Sequence, residues 1–167
     1  MKKYLWILVL SLVLAMVWGG EGFAQAKKEL TISSTSYLSG TPKVTQVDPD
    51  RSIGQVDLLG WKVVESGDAP FHGAQMHVLG VLYNSKGYIG FRGYGTWIDK
   101  DGDKLIWELL DRPPGASSSP ARLIAGTGKY MGWQGPMEYT TMPVSKPYPQ
   151  GTVRLITRDV IKIVISE

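Results

Sequence analysis

Three carboxylates at alternate positions are the clearest candidate for metal chemistry, in the run Asp99-Lys-Asp-Gly-Asp103. Carboxylates with this spacing converge on a hard cation such as Ca²⁺ in loops built to hold it. Such a loop needs glycine at its sixth position and a bidentate Glu at its twelfth, where this chain has Lys104 and Leu110. Because Asp and Gly are also favoured turn residues, the run predicts a hairpin turn, with a weak cation site as the alternative.

The two histidines, His72 and His77, do not make a metal site by their spacing. A regular strand pleat would put them on opposite sides, and the chain has no cysteine to complete a zinc site. We therefore expect neither a metal nor a cofactor. His77 could act as a general base if it faced the inside of a barrel, although a structural or surface role is the commoner one.

Motifs for nucleophilic hydrolysis and phosphate binding are absent from the sequence. The serines of Ser117-Ser-Ser119 lie in a proline-rich loop without the glycines of a nucleophile elbow. The glycines of Gly126-Thr-Gly-Lys129 lack Walker spacing, and Lys129 is followed by Tyr130 instead of Ser or Thr. No catalytic residue is assigned, and whether the protein is an enzyme stays open.

The elements that would position any site are β-strands, because apolar residues recur with period two. One side of residues 88–98 carries Ile89, Phe91, Gly93, Gly95 and Trp97, and Tyr94 lies on the other side. The next segment repeats the apolar face with Leu105, Trp107 and Leu109, and places Glu108 opposite. Glycines between aromatic residues favour the strong coiling that closes a small barrel. Phe91, Trp97 and Trp107 are therefore predicted to share an inner wall.

Other segments fit the same scheme. Strands are predicted at residues 27–36, 55–66, 74–83 and 152–165, with a C-terminal helix as the alternative to the last. Asp159 interrupts the apolar face of that last segment, which predicts a β-bulge near it. Isolated strand charges should be paired if they point inward and are otherwise expected to face solvent; they are Glu65, Arg92, Glu108 and Arg154. Residues 37–54 are predicted to be a long surface connection with one short edge strand near 44–47, and residues 112–120 a loop.

A glycine-hinged stretch from Arg122 to Gly135 is predicted to be a strand, a sharp turn and a second strand. Its pattern Gly-Thr-Gly-Lys-Tyr-x-Gly-x-x-Gly resembles the late strand–turn–strand of the allene oxide cyclase and dirigent-like barrels, a branch of the calycin-like folds. The similar part covers residues 80–142, less than half of the chain. The resemblance implies an eight-stranded antiparallel barrel with a hydrophobic lumen, often trimeric in the plant members. It carries no catalytic residue over to this chain.

The first 26 residues have the features of a cleaved signal peptide. Lys2 and Lys3 form a basic start, residues 5–17 are apolar, and Ala24-Gln-Ala26 fits the small-x-small cleavage rule. A membrane anchor would need about 20 apolar residues. We expect cleavage after Ala26, residues 27–167 as a single β-barrel domain, no stable membrane anchor, and a location in the periplasm or outside the cell.

The charge pattern argues against a nucleic-acid partner. The formal net charge is +3, and the basic residues are scattered singly. A closed antiparallel barrel of about eight strands, all-β in class, is the expected fold.

Three functions are compatible with that fold, since fold does not fix function. The first is an exported, soluble barrel that binds a small hydrophobic or amphipathic ligand against Phe91, Trp97 and Trp107. The second is a cyclase or isomerase similar to allene oxide cyclase, in which Glu108, His77 or Tyr94 supplies the polar group. The third is a structural or interaction role as a homo-oligomer. The candidate ligand-binding residues are accordingly Phe91, Trp97, Trp107, Tyr94, His77 and Glu108.

Overall fold

The computed structural model describes residues 27–144 and 152–166, which are mostly β-strand. The predicted signal peptide lies outside these residues. The strands are β1 (Lys27–Gly40), β2 (Lys43–Asp48), β3 (Arg51–Ser66), β4 (Gln75–Ser85), β5 (Tyr88–Ile98), β6 (Lys104–Leu109), β7 (Ser119–Gly126), β8 (Trp133–Gln134), β9 (Pro136–Pro143) and β10 (Val153–Ser166).

Eight of these strands close into an antiparallel barrel, as predicted. The neighbours run β1, β10, β9, β7, β6, β5, β4 and β3, and the pairing of β3 with β1 completes the ring. The remaining two are additions, since β2 pairs with β3 outside the ring and β8 pairs with the end of β10. Closure leaves only short exposed edges, which stabilises a sheet against association through unpaired backbone groups.

The interior is built by alternation, because successive strand residues point to opposite faces. On β6, Leu105, Trp107 and Leu109 are buried while Glu108 lies between them on the outer side. On β4, Met76 and Val78 are buried and Leu79 is exposed. The barrel thus has a mostly apolar inner face and an outer face with both polar and apolar side chains.

The two ends of the barrel differ. At the end where β3 finishes and β4 begins, Phe71 is fully buried beneath the strands. Tyr130 and Trp133 are buried beside each other in an edge-to-face contact, with ring centroids 5.0 Å apart. At the opposite end, Leu82, Phe91 and Leu155 are only partly buried. The first end is covered by aromatic side chains, and the second is bordered by partly buried apolar side chains.

Several local predictions were wrong. The segment after Gly126 does not turn directly into a second strand, because Gly128–Tyr130 forms a 3-10 turn and β8 is two residues long. Tyr130 and Trp133 are therefore both buried, although simple alternation put them on opposite faces. The predicted long connection at residues 37–54 is mostly strand, since β1 continues to residue 40 and β3 begins at residue 51. The short edge strand predicted near residues 44–47 is confirmed as β2.

The C-terminal segment is a strand, as predicted, and the helix alternative is wrong. Its predicted bulge is also wrong, because Asp159 pairs in regular register with Ser34 on β1 and Tyr139 on β9. Within the described residues, no helix is long and apolar enough to cross a membrane.

Candidate functional site

A buried polar network lies on the inner face formed by β1, β3 and β10. Its members occupy positions where alternation demands an inward side chain, in step with buried neighbours such as Ile32, Leu58 and Ile161. The cross-strand register brings these positions together, because Ser36 pairs with Lys62 and Thr157, and Ser34 pairs with Asp159. The network consists of Ser34, Ser36, Lys62 and Asp159.

Lys62 and Asp159 form the ion pair at its centre. The Lys62 side chain is 0% exposed and that of Asp159 is 3% exposed, so both charges are removed from water. The Lys62 ammonium contacts the Asp159 carboxylate and donates to Ser36 Oγ at 2.8 Å and to Ser34 Oγ at 3.2 Å. These partners use all three donors that an ammonium group offers.

The two serines connect the charges a second time. Ser36 Oγ donates to Asp159 Oδ2 at 3.0 Å, and Ser34 Oγ lies 3.3 Å from the same oxygen. Each hydroxyl therefore accepts from the lysine and donates to the aspartate. A buried charge is tolerated only when it is paired and hydrogen-bonded in this way.

An aromatic wall faces the network across the lumen. The Lys62 ammonium lies 3.9 Å from the ring centroid of Trp97, which is within cation–π distance. Trp97 packs against Trp107 and Phe71, with ring centroids 4.9 Å and 5.2 Å away. Burial lowers the pKa of Lys62, and the charge and hydrogen bond of Asp159 only partly oppose this effect.

Trp107 has a donor without a partner. Its Nε1–H is buried and makes no hydrogen bond to any residue that the structure describes. Leaving a buried donor unpaired costs about 1–3 kcal/mol, so native proteins rarely do it without a reason. The aromatic wall that contacts the network through Trp97 thus also holds one N–H without a partner among the described residues.

The six predicted ligand-binding residues divide into two groups. Trp97 and Trp107 are buried in the lumen, and Phe91 is partly buried towards its second end, on the inner wall that alternation predicted. Whether they bind a ligand stays a prediction. On the outer side, Tyr94 is 54% exposed.

His77 and Glu108 also lie on the outer face. His77 Nε2 is 2.9 Å from Asp57 Oδ1, and Glu108 forms an ion pair with Arg122. The hypothesis that Glu108, His77 or Tyr94 supplies a polar group inside the barrel is therefore wrong. Among the residues that the structure describes, the charged groups within the lumen are Lys62 and Asp159, which are not among the predicted site residues.

A signal for both missed residues was present in the sequence. Lys62 lies an even number of positions from the buried residues Val56 and Leu58, so it shares their strand face. Asp159 shares the face of Ile161 in the same way. An ionisable residue that shares the parity of a buried face has to be paired across the lumen. Asp159 interrupts the apolar face because it pairs with Lys62, and no bulge is needed to accommodate it.

The acidic turn after β5 is a hairpin turn that joins β5 to β6, as the turn interpretation predicted. Asp99 Oδ1 accepts from the backbone N–H groups of Asp101 at 2.8 Å and Asp103 at 3.0 Å. Lys129 reaches over from the 3-10 turn to Asp99 at 2.6 Å and Asp101 at 2.5 Å. Among the described residues, no group of three His, Cys, Asp or Glu side chains is arranged to hold a metal ion.

The pKa of Asp99 reflects these contacts. Burial by itself would raise it, but the hydrogen bonds from Lys129, from the Tyr130 hydroxyl at 2.7 Å and from the backbone lower the pKa of Asp99 to about 2. The same contacts raise the pKa of Lys129 and, together with burial, that of Tyr130. Ion pairs and hydrogen bonds of the acidic turn therefore connect the ends of β5 and β6 to the 3-10 turn.

An open groove of about 570 Å³ lies between β7 and β8 and is lined by residues 122–126 and 132–136. It includes no member of the buried network. The groove begins where the pairing of β7 with β9 ends, next to the hydrogen bond from the Leu123 N–H to the Gly135 carbonyl.

Comparison with known proteins gives a structural likeness only. No protein-family model matches the sequence, and no curated protein matches it. The fold is similar to that of the pterocarpan synthase dirigent protein GePTS1, with a TM-score of 0.50, 13% identity, and coverage of 86% of this chain and 93% of that one. The comparison with the pterocarpan synthase dirigent protein PsPTS1 gives a TM-score of 0.48 and 12% identity, and it covers 86% of this chain and 97% of that one. The barrel is dirigent-like in fold.

Proposed function

We propose that this protein is an exported β-barrel that binds a small hydrophobic or amphipathic ligand in its lumen. The observation that carries the proposal is the divided interior, in which an aromatic wall faces the buried Lys62–Asp159 pair. Binding pockets are mostly apolar with a few convergent polar groups, and this interior has that composition. A ligand would enter at the end of the barrel bordered by the partly buried apolar residues Leu82, Phe91 and Leu155.

Stability alone does not account for the ion pair. A buried pair is often no more stable than apolar residues of similar volume, because desolvation offsets the attraction between the charges. Structural proteins can fill small barrels with aliphatic side chains. A lysine and an aspartate retained inside an otherwise apolar lumen support a role in recognising a polar group.

Tryptophan fluorescence tests the proposal directly. Trp97 and Trp107 line the lumen, so a neutral hydrophobic dye that enters should change their emission and be displaced by an unlabelled competitor. A Trp97→Phe, Trp107→Phe variant, which keeps Trp61 and Trp133, should lose most of the signal. Failure of the folded protein to take up any hydrophobic probe in a saturable way would overturn the proposal.

A cyclase or isomerase is the second candidate. It is favoured by the contact of an acid and a base inside an apolar site, where Lys62 and Asp159 could move a proton on a folded substrate. The outer residues Glu108, His77 and Tyr94 have no part in this version. If the wild type converts a substrate and the K62M and D159N variants convert it equally fast, Lys62 and Asp159 do not move the proton, and this candidate is removed.

Export is proposed from the N-terminal sequence. The protein recovered from outside the cytoplasm should begin at Lys27, which intact-mass measurement can decide. A chain that keeps Met1 and stays in the cytoplasm would contradict it.

A homo-oligomer is proposed from the barrel's outer apolar face, which we define as Tyr37, Leu59, Trp61, Leu79 and Tyr94. These side chains are 40–60% exposed on four neighbouring strands.

A further inference from the structure

The charges inside the lumen cancel. Of the buried charged side chains in the described residues, Asp99 belongs to the acidic turn, which leaves Lys62 and Asp159 in the barrel. The ammonium and the carboxylate are in direct contact, so the interior has no net charge. Any charge that a ligand brought into this region would be added without a counter-charge.

The polar groups around the pair suit a neutral partner. Ser34 and Ser36 can each donate and accept, and they already bridge the ammonium and the carboxylate. Trp107 presents a buried N–H that lacks an acceptor among the described residues. A hydroxyl, carbonyl or amide group could enter this network by exchanging hydrogen bonds, whereas a carboxylate or an ammonium would stay uncompensated.

We propose that the lumen selects uncharged amphipathic ligands, whose hydroxyl, carbonyl or amide group is held by the Lys62–Asp159 network and the Trp107 N–H. This inference rests on the proposed ligand-binding function and adds the chemical class of ligand. Selection by charge balance has a specific consequence: a change of net lumen charge should change the preferred ligand charge.

Three probes with one alkyl chain isolate the charge of the polar group: octan-1-ol, octanoate and octylammonium. Binding is followed near neutral pH by tryptophan fluorescence and calorimetry. The wild type should bind octan-1-ol at least about tenfold more tightly than either ion, since tenfold is a modest share of the cost of burying an unpaired charge.

Near-isosteric variants then shift the lumen charge. D159N leaves Lys62 without its carboxylate and should bind octanoate in preference to octan-1-ol. K62M leaves Asp159 without its ammonium and should bind octylammonium in preference to octan-1-ol. The double variant K62M/D159N is the matched control, because it is uncharged like the wild type and should favour neither ion.

The outcomes separate the two proposals. If the wild type binds none of the three probes and no hydrophobic dye, ligand binding itself fails. If the wild type binds octanoate or octylammonium as tightly as octan-1-ol, binding stands and selection by charge fails. If folded single variants keep the wild-type order of preference, the selection does not come from Lys62 and Asp159. Near-UV circular dichroism establishes folding, and if a single variant does not fold, the wild-type order alone decides.

Discussion

At the scale of the residue, the most consequential feature is a lysine that water does not reach. Lys62 is held by Asp159, Ser34, Ser36 and the face of Trp97, and it is as buried as any aliphatic side chain in the core. The four partners come from strands that are far apart in sequence. Only closure of the barrel brings them together, so the pair and the fold depend on one another.

Removing one half of the pair should cost more than removing both. K62M should lower the free energy of unfolding by about 3–5 kcal/mol, because it leaves Asp159 buried without its counter-charge. The double variant K62M/D159N should lie closer to the wild type than K62M does. Urea unfolding of the wild type, both single variants and the double variant gives the coupling energy. Additive single effects would mean that the two side chains act independently.

Asp99 should make stability depend on pH in acid. Its pKa is lowered from 3.8 to about 2 in the folded protein, so its contribution is complete above the unfolded value and is lost as pH falls through about 2. We expect D99N to lower the free energy of unfolding at neutral pH by about 2 kcal/mol, since charge-assisted hydrogen bonds are lost. Its stability should also fall less than that of the wild type between about pH 4 and 2.

The control for this experiment is D68N, which changes an exposed loop carboxylate. Equal acid sensitivity of D99N and the wild type would show that another group accounts for the transition.

For the individual strands, the alternation of apolar and polar residues predicts most of the side chains that face the lumen. The wall formed by Phe91, Trp97 and Trp107 follows from period two alone, as does the outer position of Tyr94. What period two could not supply is the partner of each inward polar group, because register between distant strands is a tertiary property. Lys62 has the parity of the inward face and is fully buried, whereas its larger apolar neighbour Trp61 is 58% exposed.

The prediction that the chain turns directly into a second strand after Gly126 was wrong for a different reason. Gly128 has φ +53°, and a Cβ on it would lie 1.9 Å from Asp103 Oδ1. The chain is bent by contacts between this turn and the acidic turn after β5, which no local pattern records. Tyr130 and Trp133 can then both be buried at the end of the barrel.

Two wall glycines should respond in opposite ways to a methyl group. A Cβ on Gly60 would lie 1.9 Å from the backbone oxygen of Tyr37, at the β1–β3 seam that closes the barrel. G60A should therefore destabilise the protein by about 2–3 kcal/mol, as overpacking does. On Gly95 the nearest atom would be 3.8 Å away, so G95A should be neutral or slightly stabilising.

Thermal and urea unfolding of G60A and G95A provide the comparison. Equal stability of the two variants would show that the β1–β3 seam yields easily, and closure would then be less rigid than the register implies.

At the scale of the whole molecule, the exterior is as informative as the lumen. The outer apolar face spans β1, β3, β4 and β5, and its members are in cross-strand or diagonal contact positions. Tyr37 and Trp61 stack on it, with ring centroids 6.1 Å apart. Exposed apolar patches of this kind mark interaction surfaces in soluble and membrane-associated proteins alike.

We expect the barrel to associate with copies of itself through this outer apolar face. W61K should weaken association at least about tenfold, because a central tryptophan typically contributes more than 1.4 kcal/mol to an interface. Sedimentation velocity over a range of protein concentrations measures the effect. Since Trp61 is 58% exposed, its replacement should leave the fold and its unfolding temperature nearly unchanged.

M131K is the matched control, because Met131 is 71% exposed on the 3-10 turn side and does not belong to the outer apolar face. It should associate as the wild type does. A wild type that sediments as a monomer at every concentration would refute self-association, and equal weakening by W61K and M131K would place the interface elsewhere. Ligand binding by the separated W61K barrel would further show that each lumen works on its own, since Lys62 and Asp159 belong to one chain.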